Sequence, residues 1–116
     1  MNNYNLTFRV LQEFLGAKNV YQSLPGDLET PYPFAVVEES ESKFQAVKVE
    51  ELKEETIIFN LWFSFKERQK LDDIANQIFK KLFELGANKF DSSLKILKDD
   101  STSEILWHGV CEVVFN

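Results

Sequence analysis

The stretch Thr-Ile-Ile-Phe-Asn-Leu-Trp-Phe-Ser-Phe at residues 56–65, with the segment 67–85 behind it, decides the fold of this chain. β-Branched and aromatic residues dominate residues 56–65, which predicts a strand. Every odd position from 57 to 65 is large and apolar, so one face of this strand is predicted to cover a core. Residues 67–85 repeat apolar side chains at helical spacing, and Gly86 follows them as a stop signal. A long helix is therefore predicted directly after the central strand.

Shorter elements precede this centre. Apolar residues at helical spacing predict a first helix at residues 4–17, which ends near a glycine. Short strands are predicted at 20–24 and 34–39, where the residues are β-branched or aromatic. Between them, three prolines stiffen the loop at 25–33 because each fixes its own φ and restricts the residue before it.

The sequence predicts the segment after the central strand and helix more clearly than the segment before them. Residues 44–49 alternate as a short strand would, whereas the charged run 50–55 is expected to be a solvated loop. Residues 93–97 and 104–115 both predict strands. The polar turn at 98–102 separates these two strands, so they are expected to form a hairpin.

The order of elements predicts the fold class. The order is α-β-β-(β)-β-α-β-β, in which strands and helices do not alternate strictly. That pattern favours an α+β sandwich, with a mixed or antiparallel sheet of about four or five strands packed by two helices. A length of 116 residues suits one domain over residues 1–116.

Charge and composition limit the classes of function. The net charge of −6 argues against a surface that grips nucleic acid, because such surfaces neutralise phosphates with Lys and Arg. No segment approaches the ~18 apolar residues of a membrane helix, and no signal peptide is expected from the N-terminal residues. The single cysteine excludes an intrachain disulfide.

The residues that could carry catalysis are isolated in the sequence. His108 and Cys111 are three positions apart on a predicted strand, so their side chains are expected on opposite faces. The carboxylate runs suit solvated faces, turns and a helix N-terminus, and none has the spacing of a known cation loop. We therefore predict no catalytic, cofactor or metal site, and a protein that is not an enzyme.

The second face of the predicted sheet raises the question of what covers it. This face carries the even positions of the central strand and their counterparts in the last strand. Its apolar members are Ile58, Trp62, Leu106, Val110 and Val114. Either the first helix covers this face, or the face is a contact between subunits, because monomers seldom expose large apolar patches. Trp62 is the leading interface candidate.

One segment resembles a known family. Tyr21-Gln22-Ser23-Leu24-Pro25, then Asp27, then Thr30-Pro31-Tyr32-Pro33-Phe34-Ala35-Val36-Val37-Glu38-Glu39, is similar to the "YxSLPxD…TPYPFAVVxE" region of tail-component proteins. These proteins occur in siphophages and prophages of Gram-positive bacteria and are similar to the tail terminator, or tail completion, group. The layout of a leading helix, a central strand, a long helix and a closing hairpin agrees with that family, whereas the acidic run 50–55 departs from it.

The resemblance implies a structural role in a virion. It implies a hexameric ring that caps the head-proximal end of the tail tube and presents a surface to the neck proteins. The partners would be further copies of the chain, the major tail tube protein and a neck or head-completion protein, without cofactor or membrane. An acidic ring would let DNA pass without specific binding. The protein would be located in the virion tail, and in the bacterial host cytoplasm during assembly.

Six further interface candidates accompany Trp62. Tyr32 and Phe34 lie in the proline-stiffened segment, where they are alternatively interpreted as closing the core. The acidic candidates lie just before or within residues 40–55, and they are Glu38, Glu39, Glu50 and Glu51. A different class remains open: a small acidic inhibitor or immunity-type protein that covers a basic partner. A minor enzyme or small-ligand module is a third class, for which the sequence offers no nucleophile and base.

Overall fold

The structure is a computed structural model that describes residues 2–26, 31–38, 41–46, 51–101 and 104–116. Over these residues the chain forms two α-helices, six strands and two short 3₁₀ helices, at Ala17–Asn19 and Phe65–Glu67. The main elements are α1 (Asn3–Leu15), β1 (Val20–Tyr21), β2 (Phe34–Val37), β3 (Glu41–Ala46), β4 (Glu51–Ser64), α2 (Arg68–Glu84), β5 (Ser93–Asp99) and β6 (Leu106–Phe115). Their order is the predicted one, and the α+β class is confirmed.

The strands form one mixed sheet in the order β1-β2-β4-β6-β5. Only the short β1–β2 pair is parallel among the described strands, and all others are antiparallel. The 14-residue strand β4 is the spine of the sheet. On one side it pairs with β3 and then with β2, and on the other side it pairs with β6 over ten residues. The predicted closing hairpin is confirmed as β5–β6.

Helix α1 begins and ends at residues suited to those positions. The side chain of Asn2 caps it by accepting a hydrogen bond from the backbone N–H of Asn5 at 2.7 Å. Gly16 ends it with a φ of +98°, a backbone conformation that favours glycine. The buried residues of α1 include Val10, Leu11 and Leu15, which share one stripe of the helix.

Both helices lie on the same face of the sheet. The odd positions Ile57, Phe59, Leu61 and Phe63 of β4 are 0% exposed, as the alternation of the sequence predicts. They form one core cluster with buried side chains from α1 and α2, including Leu11 and Leu71. Because α1 packs beside α2 in this layer, it does not cover the second face of the sheet.

The structure corrects several boundaries. Residues 51–55, expected to be a solvated loop, belong to β4, since pairing with β3 and β6 outweighs the low strand preference of charged residues. Phe65, expected in the core, is 46% exposed because the strand gives way to a 3₁₀ helix, and its ring stacks on Trp107 at 5.3 Å. Ile105 precedes β6 and Leu85 follows α2, so both are exposed. Residues 27–30, 39–40, 47–50 and 102–103 of the predicted loops and strands lie outside the described ranges.

Candidate interaction surface

A row of four aromatic side chains crosses the sheet face opposite the helices. We call Tyr32, Phe34, Trp62 and His108 the aromatic row. Their ring centroids are 5.6, 5.0 and 4.5 Å apart in that order, and each neighbouring pair is stacked. Tyr21 adds an edge-to-face contact on Phe34 at 5.9 Å. The row therefore connects β2, β4 and β6 through side chains as well as through the backbone.

The strand register builds this row. Phe34 lies directly opposite Trp62 in the β2–β4 ladder, and Trp62 lies directly opposite His108 in the β4–β6 ladder. Side chains at such opposed positions are close enough to stack. Phe34 and His108 cover the two faces of the Trp62 ring, so Trp62 is only half-buried and Phe34 is 6% exposed. A partner would therefore meet mainly the outer edges of the row.

A line of hydrogen bonds runs beside the aromatic row. The amide nitrogen of Asn60 donates to the carboxylate of Glu38 at 2.8 Å. This bond turns the amide oxygen of Asn60 toward His108, whose Nε2 lies 2.9 Å away. The oxygen can only accept, so His108 carries its proton on Nε2. Asn60 is 6% exposed, and these two partners satisfy its side chain.

Asp99 lies at the β5 end of the row and interacts with two of its members. Its carboxylate accepts hydrogen bonds from the hydroxyl and the backbone N–H of Ser101, and the polar indole of Trp62 acts on it at longer range. These bonds hold the pKa of Asp99 below its usual value, with the bonds from Ser101 contributing most. Partial burial lowers the pKa of His108, and the charges of Asp99 and Glu38 oppose that effect. At neutral pH the row therefore holds a neutral imidazole between carboxylates.

The predicted interface residues are only partly brought together. Trp62, Tyr32 and Phe34 belong to the row, and the exposed Glu38 reaches it through Asn60. Glu51 lies at the far end of β4, opposite Ala46. Glu39 and Glu50 lie outside the described residues.

Sequence reasoning missed several residues of this surface. His108, Asn60, Asp99 and Tyr21 were not among the predicted interface residues, although the first two shared the second face with Trp62. A trial alignment of the central and last strands could have shown that two even positions, Trp62 and His108, face each other. The bond from Asn60 to Glu38 depends on side-chain geometry and has no sequence signal.

The structure separates the two residues that were tested as a catalytic pair. Cys111 is 0% exposed on the core face, whereas His108 lies on the opposite face, as predicted. Burial raises the pKa of the Cys111 thiol far above its usual value. Within the described ranges, no three His, Cys, Asp or Glu side chains come together as ligands for a metal. No helix of the described chain is long and apolar enough to span a bilayer.

Comparison with known proteins finds a weak structural similarity. No family model matches the sequence, and no curated protein matches it. Among solved structures, a chain from the virion of a native gene transfer agent (GTA) particle is similar, with a TM-score of 0.49 and 10% sequence identity. The alignment covers 96% of this chain and 89% of that chain. A similarity of this size establishes neither a shared fold nor a shared function.

Proposed function

We propose that this chain is a structural subunit of a phage-like virion and catalyses no reaction. In this proposal it is a tail terminator: copies of the chain form a hexameric ring at the head-proximal end of the tail tube. The ring stops the tube from growing and presents a docking surface to a neck or head-completion protein. The chain would act by shape and surface contact alone.

The aromatic row on the sheet face without a helix is the observation that carries this proposal. Antiparallel sheets commonly bury one face and leave the other to solvent, and that second face is then usually polar, because exposed apolar surface favours association. Here both helices pack on one face, and the other face carries Tyr32 and Trp62 with the 41%-exposed Leu97. A second copy of the chain would cover this face.

The same surface connects the structure to the sequence resemblance. Tyr21, Tyr32 and Phe34 are residues of the tail-component motif, and all three build one end of the aromatic row. The motif thus coincides with the surface proposed for assembly. This coincidence supports the proposal that the subunit resembles tail terminators in how it assembles as well as in its sequence.

The charge of the chain suits a ring around DNA. A net charge of −6 per subunit gives a ring a strongly negative total, which would repel the phosphate backbone. The exposed Glu38, and Glu54 and Glu55 in the first half of β4, contribute to this charge. We propose that DNA passes through the ring without being held.

Two measurements test the proposed function. Light scattering behind size-exclusion chromatography should show a ring-sized species whose share increases with concentration, and electron microscopy should show rings. Added to a polymerising tail tube protein from the same phage, the chain should shorten the tubes by capping their ends. A chain that stays monomeric, leaves tube length unchanged and binds one basic protein tightly would instead be an inhibitor.

A further inference from the structure

The outer surface of α2 carries a second apolar feature, on the side of the molecule opposite the aromatic row. A groove of about 490 Å³ runs along this helix. Phe79 and Phe83 supply its apolar part, and the tilted contact between their rings is 5.7 Å. The remaining lining residues are polar or charged, and they are Asn76, Lys80, Glu84 and Lys89.

Phe90 projects from a hydrogen-bonded turn and directly follows Lys89, which lines this groove. Its side chain is 94% exposed, the most exposed large apolar side chain of the described residues. The backbone N–H of Phe90 donates to the side chain of Asn88 at 2.9 Å, and the hydroxyl of Ser92 donates to the Asn88 carbonyl at 2.7 Å. Asn88 itself is fixed by a backbone bond to Val114 at 2.7 Å. Because the turn is already ordered, little conformational entropy would be lost if Phe90 entered a partner.

The two surfaces carry complementary charges. The sheet face has exposed Glu38 and Glu112 beside the aromatic row, whereas the groove has exposed Lys80 and Lys89. Each surface also carries one charge of the opposite sign, which is Lys95 on the sheet face and Glu84 on the groove, and these two charges are complementary as well. Within the described ranges, none of these six side chains forms an ion pair with another.

We infer that the two surfaces bind each other between neighbouring copies of the chain. The α2 groove and Phe90 of one subunit pack on the aromatic row of the next, so that each bare sheet face receives a helix from its neighbour. The contact joins two different surfaces of the subunit. Such head-to-tail contacts form a ring when the rotation between neighbours closes and an open filament when it does not, and the proposed ring requires the closing rotation. This inference rests on the proposed ring and specifies which surfaces form it.

A complementation experiment with two double variants tests the contact. The sheet-face variant combines Leu97→Lys with Glu112→Lys, which adds positive charge facing Lys80 and Lys89. The groove variant combines Phe90→Asp with Lys80→Glu, which removes the exposed aromatic side chain and reverses the groove charge. All four positions are exposed, so both variants are expected to fold, as far-UV circular dichroism and urea unfolding will check.

Each variant alone should be monomeric, with association weakened roughly 30-fold or more, as expected for loss of an aromatic anchor. Mixed in equal amounts, they should associate, at least as a dimer of one copy each, because the intact groove of one variant still binds the intact sheet face of the other. The new charges on the two altered surfaces are opposite and also attract each other. Sedimentation velocity measures all three samples. Leu24→Asp and Arg9→Glu, an exposed apolar and an exposed basic position outside both surfaces, are matched controls that should assemble like the unmodified chain.

Four results would overturn the contact. If the sheet-face variant alone still associates, the helix layers bind each other; if the groove variant alone still associates, the sheet faces do. Either result would leave ring formation intact with a different interface. If the mixture stays monomeric, the two surfaces do not bind each other. An unmodified chain that forms no ring but still stops tube growth would exclude this contact and retain the capping role.

Discussion

Removing the central ring of the aromatic row tests whether the row stabilises the folded chain. Trp62 is stacked between Phe34 at 5.0 Å and His108 at 4.5 Å. Trp62→Ala removes both stacking contacts. Trp62→Phe keeps a smaller ring between the same two neighbours.

The magnitude follows from partial burial of the side chain. A fully buried Trp removes about 150–250 Å² from water, so a half-buried one removes roughly 100 Å², or about 2.5 kcal/mol at ~25 cal/mol per Å². The stacked geometry adds about 0.5–1 kcal/mol, which gives about 3 kcal/mol for Trp62→Ala. Trp62→Phe should cost about 1 kcal/mol, because the smaller ring buries less apolar area and overlaps less with its two neighbours.

Urea unfolding followed by far-UV circular dichroism measures both free energies, with an unchanged m-value as the check that the unfolding transition is the same. The samples must be at low concentration, so that association does not add to stability. If Trp62→Ala costs less than about 1 kcal/mol, the stack does not stabilise the monomer. If the two variants lower the free energy of unfolding equally, a ring between Phe34 and His108 does not stabilise the fold. That result would refute our account of this face.

Three further predictions concern His108, Cys111 and Gly86. The pKa of His108 is lower in the folded chain, so the unfolded chain binds more protons and stability should fall as pH decreases from about 7.5 to about 5.5. Urea unfolding at several pH values should show that the unfolding free energy of His108→Gln depends less on pH. An unchanged dependence would show that His108 is not its source. Cys111, buried with a raised pKa, should react with a thiol reagent only on unfolding, and rapid reaction of the folded chain would contradict its burial. Gly86 has a φ of +116°, so Gly86→Ala should cost roughly 1–2 kcal/mol in unfolding free energy, whereas Gly26→Ala, at a glycine without positive φ, should cost little; equal costs would refute the strain.

The central elements were predictable because their signals are local. Alternation in residues 56–65 correctly assigned the buried face of β4 from Ile57 to Phe63, and helical spacing located α2 within one residue at each end. The closing hairpin followed from two β-rich runs with a polar turn between them. Each of these features depends on neighbours within a few residues along the chain.

The candidate surface was less predictable because it depends on contacts between distant segments. An apolar stripe predicts that α1 is buried, but it does not say which face of the sheet receives the helix. The aromatic row requires Phe34, Trp62 and His108 to share one register across three strands, and no local pattern fixes that register. The charged residues 51–55 join β4 for the same reason, since pairing partners and not local preference decide their conformation.

The position of β6 has a consequence for the timing of folding during synthesis. This strand is the last of the described elements in the chain, yet it lies between β4 and β5 and pairs with both. Until residues 106–115 have left the ribosome, β4 lacks its longest partner and β5 has none among the described strands. The sheet of the nascent chain therefore stays open along its middle until β6 is available, and a chain truncated before β6 would expose the edges of β4 and β5 to other chains.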